Sequence, residues 1–99
     1  MKQWTGKHVV VTTEFRGVFF GKLEETQRDE FGFRARLSQV RNCVYWDTNT
    51  RGFLGLAATG PTKGCRVGPA IPEILLEKVT AIAVCSDASI SQWETEPWA

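Results

Sequence analysis

Phe31-Gly32-Phe33-Arg34-Ala35-Arg36-Leu37 alternates apolar and charged residues with a period of two. Successive side chains on an extended strand point to opposite faces, so Phe31, Phe33, Ala35 and Leu37 share one face and Arg34 and Arg36 the other. A half-buried strand of this kind belongs to a sheet with one packed and one wetter face, which is the signature of antiparallel pairing. Residues 40–46 (VRNCVYW) continue the strand. The apolar phase slips near Ser38-Gln39, where a bulge is expected.

Upstream, residues 8–15 (HVVVTTEF) are β-branched and aromatic, a composition that suits strands. Residues 18–26 (VFFGKLEET) read as a second strand. Arg16-Gly17 between them makes a hairpin, and Gly21 inside the second strand marks a bulge or a close backbone approach. Gln27 to Glu30 reads as a polar turn. Downstream, Asp47 to Arg51 turns into a short helix over residues 52–59, with Thr48, Asn49 or Thr50 as its N-cap. That helix presents Phe53, Leu56 and Ala57 on one face and stops at Gly60-Pro61. Residues 61–68 form a loop leading into a short strand. Pro69 and Pro72 keep that region of the chain out of a central ladder. Residues 73–77 and 78–85 read as apolar strands, with residues 79–84 central in the sheet. Ser86-Asp87 caps a final helix over residues 88–94 that presents Ile90 and Trp93 and ends before Pro97. The reading is a single domain over residues 1–99 of α+β class: a mainly antiparallel sheet of five or six strands with two short helices.

Composition narrows the function. A net charge of +1 over 99 residues does not suit a general nucleic-acid coat, which neutralises many phosphates. The charge is segregated, however. Residues 34–78 carry seven basic side chains against three acidic ones, whereas residues 86–99 carry three acidic and no basic. This suits an anion-binding middle segment, or an acidic tail that docks on a basic face. Cys43, Cys65 and Cys85 are widely spaced and odd in number. That pattern fits free thiols in a reducing cytoplasm and offers no metal-binding pair. His8 is the only histidine, and it reads as a surface residue at a strand start. No phosphate-binding loop, nucleophile elbow or metalloprotease motif is present. We therefore expect a non-enzymatic cytoplasmic protein with no cofactor and no metal.

The most informative chemistry lies in residues 45–52 (YWDTNTRG). Two aromatics end a strand, and Arg51-Gly52 opens a helix. A helix start favours anions, arginine adds a two-pronged donor, and Tyr45 or Trp46 offers a flat face for stacking. Tyr45, Trp46, Thr50, Arg51 and Arg66 are the candidate ligand-binding residues, for an anionic nucleotide-like molecule. The competing reading makes Trp46 a core anchor and Thr50 a cap. An alternative function is a nucleic-acid-binding module that uses Arg34 and Arg36, with Arg41 nearby, to track phosphates. Trp4 and Trp98 lie outside the obvious core elements, as tryptophans at an interface or at a pinned terminus do; the interface reading predicts a homo-oligomer, with two-fold symmetry as the default.

Several runs carry a resemblance: Arg16-Gly17-Val18-Phe19-Phe20-Gly21-Lys22-Leu23-Glu24, Val44-Tyr45-Trp46, Thr50-Arg51-Gly52-Phe53-Leu54-Gly55-Leu56-Ala57, and Pro72-Glu73-Ile74-Leu75-Leu76 ahead of the last strand. Together with a short acidic helix at the end, they resemble a family of small phage and prophage proteins that form a domain of unknown function, across most of residues 8–94. The resemblance implies an accessory factor, with counter-defence as one role. Such a factor binds a host protein or sequesters a nucleotide signal. A structural component of a phage particle is a further alternative.

Overall fold

Two long strands, β2 (Val18–Asp29) and β3 (Gly32–Tyr45), form the spine of the computed structural model. The model describes residues 4–14, 17–30, 32–46 and 48–95. The expectations resting on Phe15, Arg16, Phe31, Asp47, Pro97 and Trp98 lie outside those residues. The polar turn expected over residues 27–30 is shorter than anticipated. Gln27 and Arg28 pair with Arg34 and Phe33, and the ladder closes at Asp29↔Gly32. Gly32 has a φ of +131°, so glycine permits a tighter reversal than the run of polar residues suggests.

The other elements are β1 (His8–Thr13), a 3-10 turn (Thr48–Thr50), α1 (Gly52–Ala58), β4 (Arg66–Val67), β5 (Ile71–Leu76), β6 (Val79–Val84) and α2 (Asp87–Thr95). They make a six-stranded antiparallel sheet in the order β4-β3-β2-β1-β6, with β5 also paired to β3. The expected α+β class is what forms. β3 is long enough to take two neighbours on one edge: β4 pairs at Cys43 and Tyr45, and β5 pairs from Ala35 to Val40.

Irregularities in β2 and β3 set which side chains are buried. Gln39 has a φ of +52°, and the β2–β3 ladder steps from Phe20↔Arg41 to Lys22↔Ser38, so β3 carries one residue more than β2 across this step. This is the anticipated bulge. Three residues separate Leu37 from Val40, so a regular strand would turn them to opposite faces. The extra residue brings both into one buried cluster. Gly21 is the β2 residue opposite this shift. A Cβ there would meet the Ser38 carbonyl oxygen at 3.0 Å and Leu37 Cβ at 3.1 Å, so glycine lets the two strands close up.

The sheet is covered on both faces. One cluster joins Val9, Val11, Leu23, Ala35, Leu37 and Val40, and Leu76 closes it; it draws on strands alone. Trp4 packs against it, so this tryptophan pins the start of the chain. The second cluster joins Val10, Val18 and Phe20 of the sheet to Leu56 and Ala57 of α1 and Trp93 of α2. Val9, Val10 and Val11 are all fully buried, which accounts for an unbroken valine run where an alternating pattern would suit a half-exposed strand.

Residues 79–84 are not central. Among the described residues β6 pairs only with β1 and terminates the order. Apolar composition alone suggests an interior strand. The reason for the difference lies in the link before it. Glu77-Lys78, with Lys78 at φ +54°, joins β5 on one edge to β6 on the other, and ties the two ends of a curled sheet together. β3 and β6 consequently approach each other.

Both helices bury the faces their periodicity indicates. Ser86 caps α2, accepting from the Ser89 N–H at 3.1 Å and donating to the Ala58 carbonyl. The stop at Gly60 also forms: Gly60 (φ +85°) and Thr59 both donate their N–H to the Gly55 carbonyl. The start of α1 differs from expectation. No side chain caps it; Arg51 precedes it in the left-handed region (φ 66°, ψ 34°).

Candidate ligand site at the β3–α1 corner

The corner begins where β3 runs past β2 and β5 and keeps only the two-residue β4 as a neighbour. Tyr45 is the last residue of β3 and is 54% exposed. Trp46 comes next, half-buried against the helix-side cluster. The chain then makes one 3-10 turn and takes two successive left-handed residues, Arg51 and Gly52 (φ +72°). This reversal faces Arg51 and Gly52 back toward the two aromatics. Tyr45, Trp46, Thr48, Arg51 and Gly52 line an open hollow of about 480 Å³.

Buried polar groups hold the corner in place. Thr50 has no exposed surface. Its Oγ1 lies 2.9 Å from Thr62 Oγ1 and 3.1 Å from Cys65 Sγ. Cys65 Sγ also accepts the Thr62 N–H at 3.3 Å, and Cys43 donates to the Tyr45 carbonyl at 3.4 Å. Burial, helped by the neighbouring Cys65, pushes the Cys43 thiol up to about 12. Burial likewise raises Cys85 to about 11. Both thiols are therefore protonated and chemically quiet at neutral pH. α1 can lie on this floor because residue 55 is glycine: a Cβ there would fall 1.7 Å from the Thr50 carbonyl oxygen.

Of the five candidates, Tyr45, Trp46 and Arg51 line the hollow. Arg66 is exposed on β4 in register with Tyr45. Thr50 does not reach the hollow: it lies beneath, bonded to the loop over residues 62–65. It has no exposed surface, and its side chain does not cap α1. Sequence reading missed Thr48 and Gly52 as lining residues. Their signal was adjacency to Arg51, which says nothing of orientation until the left-handed pair is known. α1 spans only seven residues, too short for its start to act as an anion site, so the chemistry rests on side chains.

A guanidinium beside a partly exposed phenol and indole can hold a planar, negatively charged group by stacking and paired donors. Among the described residues no carboxylate pairs with Arg51 or Arg66. The arginines of β3 are placed differently. Arg34 lies 3.4 Å from Asp29 and 3.9 Å from Glu77. Arg36 lies 3.0 Å from Glu73 and 3.8 Å from Glu25. Arg41 donates to the carbonyls of Gly68 and Trp93, each at 2.9 Å. These three do not form an open basic face of the kind a phosphate-tracking strand needs.

His8 is also less exposed than its place in the sequence suggests. Its ring stacks on Phe20 at 5.5 Å, and Phe20 stacks on Trp93 at 4.9 Å. Its Nε2 is buried 3.6 Å from a Glu94 carboxylate oxygen, beyond hydrogen-bond reach. A separate apolar hollow of about 240 Å³, lined by Phe19, Val40, Asn42, Pro69, Ile71 and Ile74, carries no signal in the sequence.

Among the described residues, no group of three or more histidine, cysteine, aspartate or glutamate side chains could hold a metal ion. No helix there is long and apolar enough to cross a membrane. Fold and corner together define an α+β domain with a curled antiparallel sheet, helices on one face, and an aromatic–arginine hollow at its rim. The chain belongs to the family described as Domain of unknown function (DUF6948), whose model matches residues 6–93. No curated protein and no solved structure matches it.

Proposed function

We propose that this protein acts by binding, without turnover, and that it holds an anionic ligand with a flat ring, of nucleotide type, at the β3–α1 corner. The observation that carries this reading is the convergence of Tyr45, Trp46 and Arg51 on one hollow, with Arg66 beside Tyr45. Residues from a strand end and a helix start meet there over a floor held by the hydrogen bonds of Thr50, Thr62 and Cys65. Such a floor restricts the corner before a ligand arrives, which lowers the entropy cost of binding. The resemblance to small phage and prophage proteins supports the wider setting: a cytoplasmic accessory factor, counter-defence among its roles, that sequesters a nucleotide signal.

Isothermal titration calorimetry of the purified protein against a panel of mononucleotides and cyclic dinucleotides tests the reading. One member of the panel should bind to the wild type, and Arg51→Glu should remove most of that affinity while the circular dichroism spectrum stays the same. A wild type that binds none of them, or an Arg51→Glu variant that binds as well as wild type, would overturn the assignment.

A further inference from the structure

The two edges of this sheet are guarded unequally. β5 carries Pro72 and Glu73 within the strand and Glu77 just after it, devices that keep an edge from pairing with another chain. β6, Val79-Thr80-Ala81-Ile82-Ala83-Val84, has no charge, no proline and no glycine. Four of its six residues are β-branched, a type enriched in strands, and the other two are alanines. Its inner side is bonded to β1, with Val9↔Val84, Val10↔Ala83 and Val11↔Ile82 in register. Among the described residues no strand pairs with its outer side. The edge borders a hollow of about 260 Å³ lined by Arg28, Phe33 and Val79, Thr80, Ala81 and Ile82, so there is room beside it. Ladder bonds alternate along a strand, and the Cys85 N–H donates to the His8 carbonyl on the β1 side. By that alternation Ile82 and Val84 turn their backbone N–H and C=O groups outward.

We infer that β6 is an interface strand, and that its partner is β6 of a second copy of this chain, paired antiparallel across a two-fold axis to make one continuous sheet. The occupant is set by the edge itself. A neutral strand meets a neutral strand with no charge to desolvate, and a two-fold pairs each outward N–H with an outward C=O of the same segment. A partner strand with charges of one sign would gain nothing from β6, which offers none to answer them. No residue that lines the corner hollow lies on β6 or in the hollow beside it, so the two sites share no side chain.

Sedimentation velocity at tens of micromolar, with hydrogen exchange on the same sample, is the test. The wild type should sediment at twice the 11.1 kDa chain mass. Ala81→Lys, at an exposed position of β6, sets like charges near each other across the two-fold and should return the mass to one chain with the fold unchanged. Leu75→Lys on the β5 edge and Arg51→Glu at the corner should leave the mass doubled. Amides of Ile82 and Val84 should exchange slowly in the wild type and faster on dilution. A wild type of single-chain mass, an Ala81→Lys variant that folds and stays doubled, or exchange at Ile82 and Val84 that ignores dilution would each overturn the inference. If Ala81→Lys fails to fold, the wild-type mass and its exchange on dilution decide.

Discussion

The arginines on β3 and those at the β3–α1 corner belong to one basic stretch of sequence but meet opposite surroundings. Arg36 is in register with Glu25 on β2 and close to Glu73 on β5, and Arg34 is flanked by Asp29 and Glu77. Antiparallel pairing carries the carboxylates of the neighbouring strands to the same face, so charge on β3 is answered locally. Arg51 and Arg66 sit where the ladder runs out, beside Tyr45, with no carboxylate partner among the described residues. A count of positive charge along the chain therefore overstates one region and understates the other. What makes an arginine available to a ligand is the end of the sheet, where no opposing strand supplies an acid.

Substitutions in the two regions should separate stability from binding. Arg41→Met removes the donors that satisfy the Gly68 and Trp93 carbonyls. Leaving two partly buried carbonyls unpaired should cost about 2–4 kcal/mol, read as a lower urea midpoint, with ligand affinity at the corner unchanged. Arg51→Glu should do the opposite. Loss of a charge-assisted donor pair corresponds to about a 100-fold weaker Kd by calorimetry, and stability should move by less than about 0.5 kcal/mol, as at other surface positions. Thr50→Val keeps the shape beneath the hollow but drops the bonds to Thr62 and Cys65. It should lower unfolding free energy by about 1–2 kcal/mol and reduce affinity less than Arg51→Glu does. Arg36→Ala comes last. Its ion pairs are solvent-exposed and worth less than about 1 kcal/mol, so chemical denaturation should barely detect it. An Arg36→Ala effect on ligand binding larger than that of Arg51→Glu would reverse the ranking of the two regions.

Much of the fold is legible in the sequence because its devices are local. The alternation at Ala35 and Leu37, the slip at Gln39, the close approach at Gly21, the cap at Ser86 and the stop at Gly60 each depend on neighbours within a few residues. The errors share another origin. The turn after β2 and the start of α1 depend on backbone signs at Gly32, Arg51 and Gly52, and a left-handed arginine has no sequence signature. Thr50 reads as polar and therefore outward. It turns inward because the loop over residues 62–65 brings Thr62 and Cys65 to meet it. His8 reads as exposed because nothing in the sequence places Phe20 beneath it or α2 beside it.

By itself the sequence determined the α+β class, the strands and helices, the bulge in β3, and the residue types from which a site could be made: Tyr45, Trp46, Arg51 and Arg66. These depend on periodicity and on short-range backbone preferences, which each segment carries with it. Only the tertiary structure decided that β6 ends the sheet, that Thr50 lies under the hollow, and that the β3 arginines are answered while Arg51 and Arg66 face outward. Those outcomes depend on which distant segment becomes a neighbour. That choice is made by closing the whole sheet around two cores at once, a condition no single stretch of chain contains.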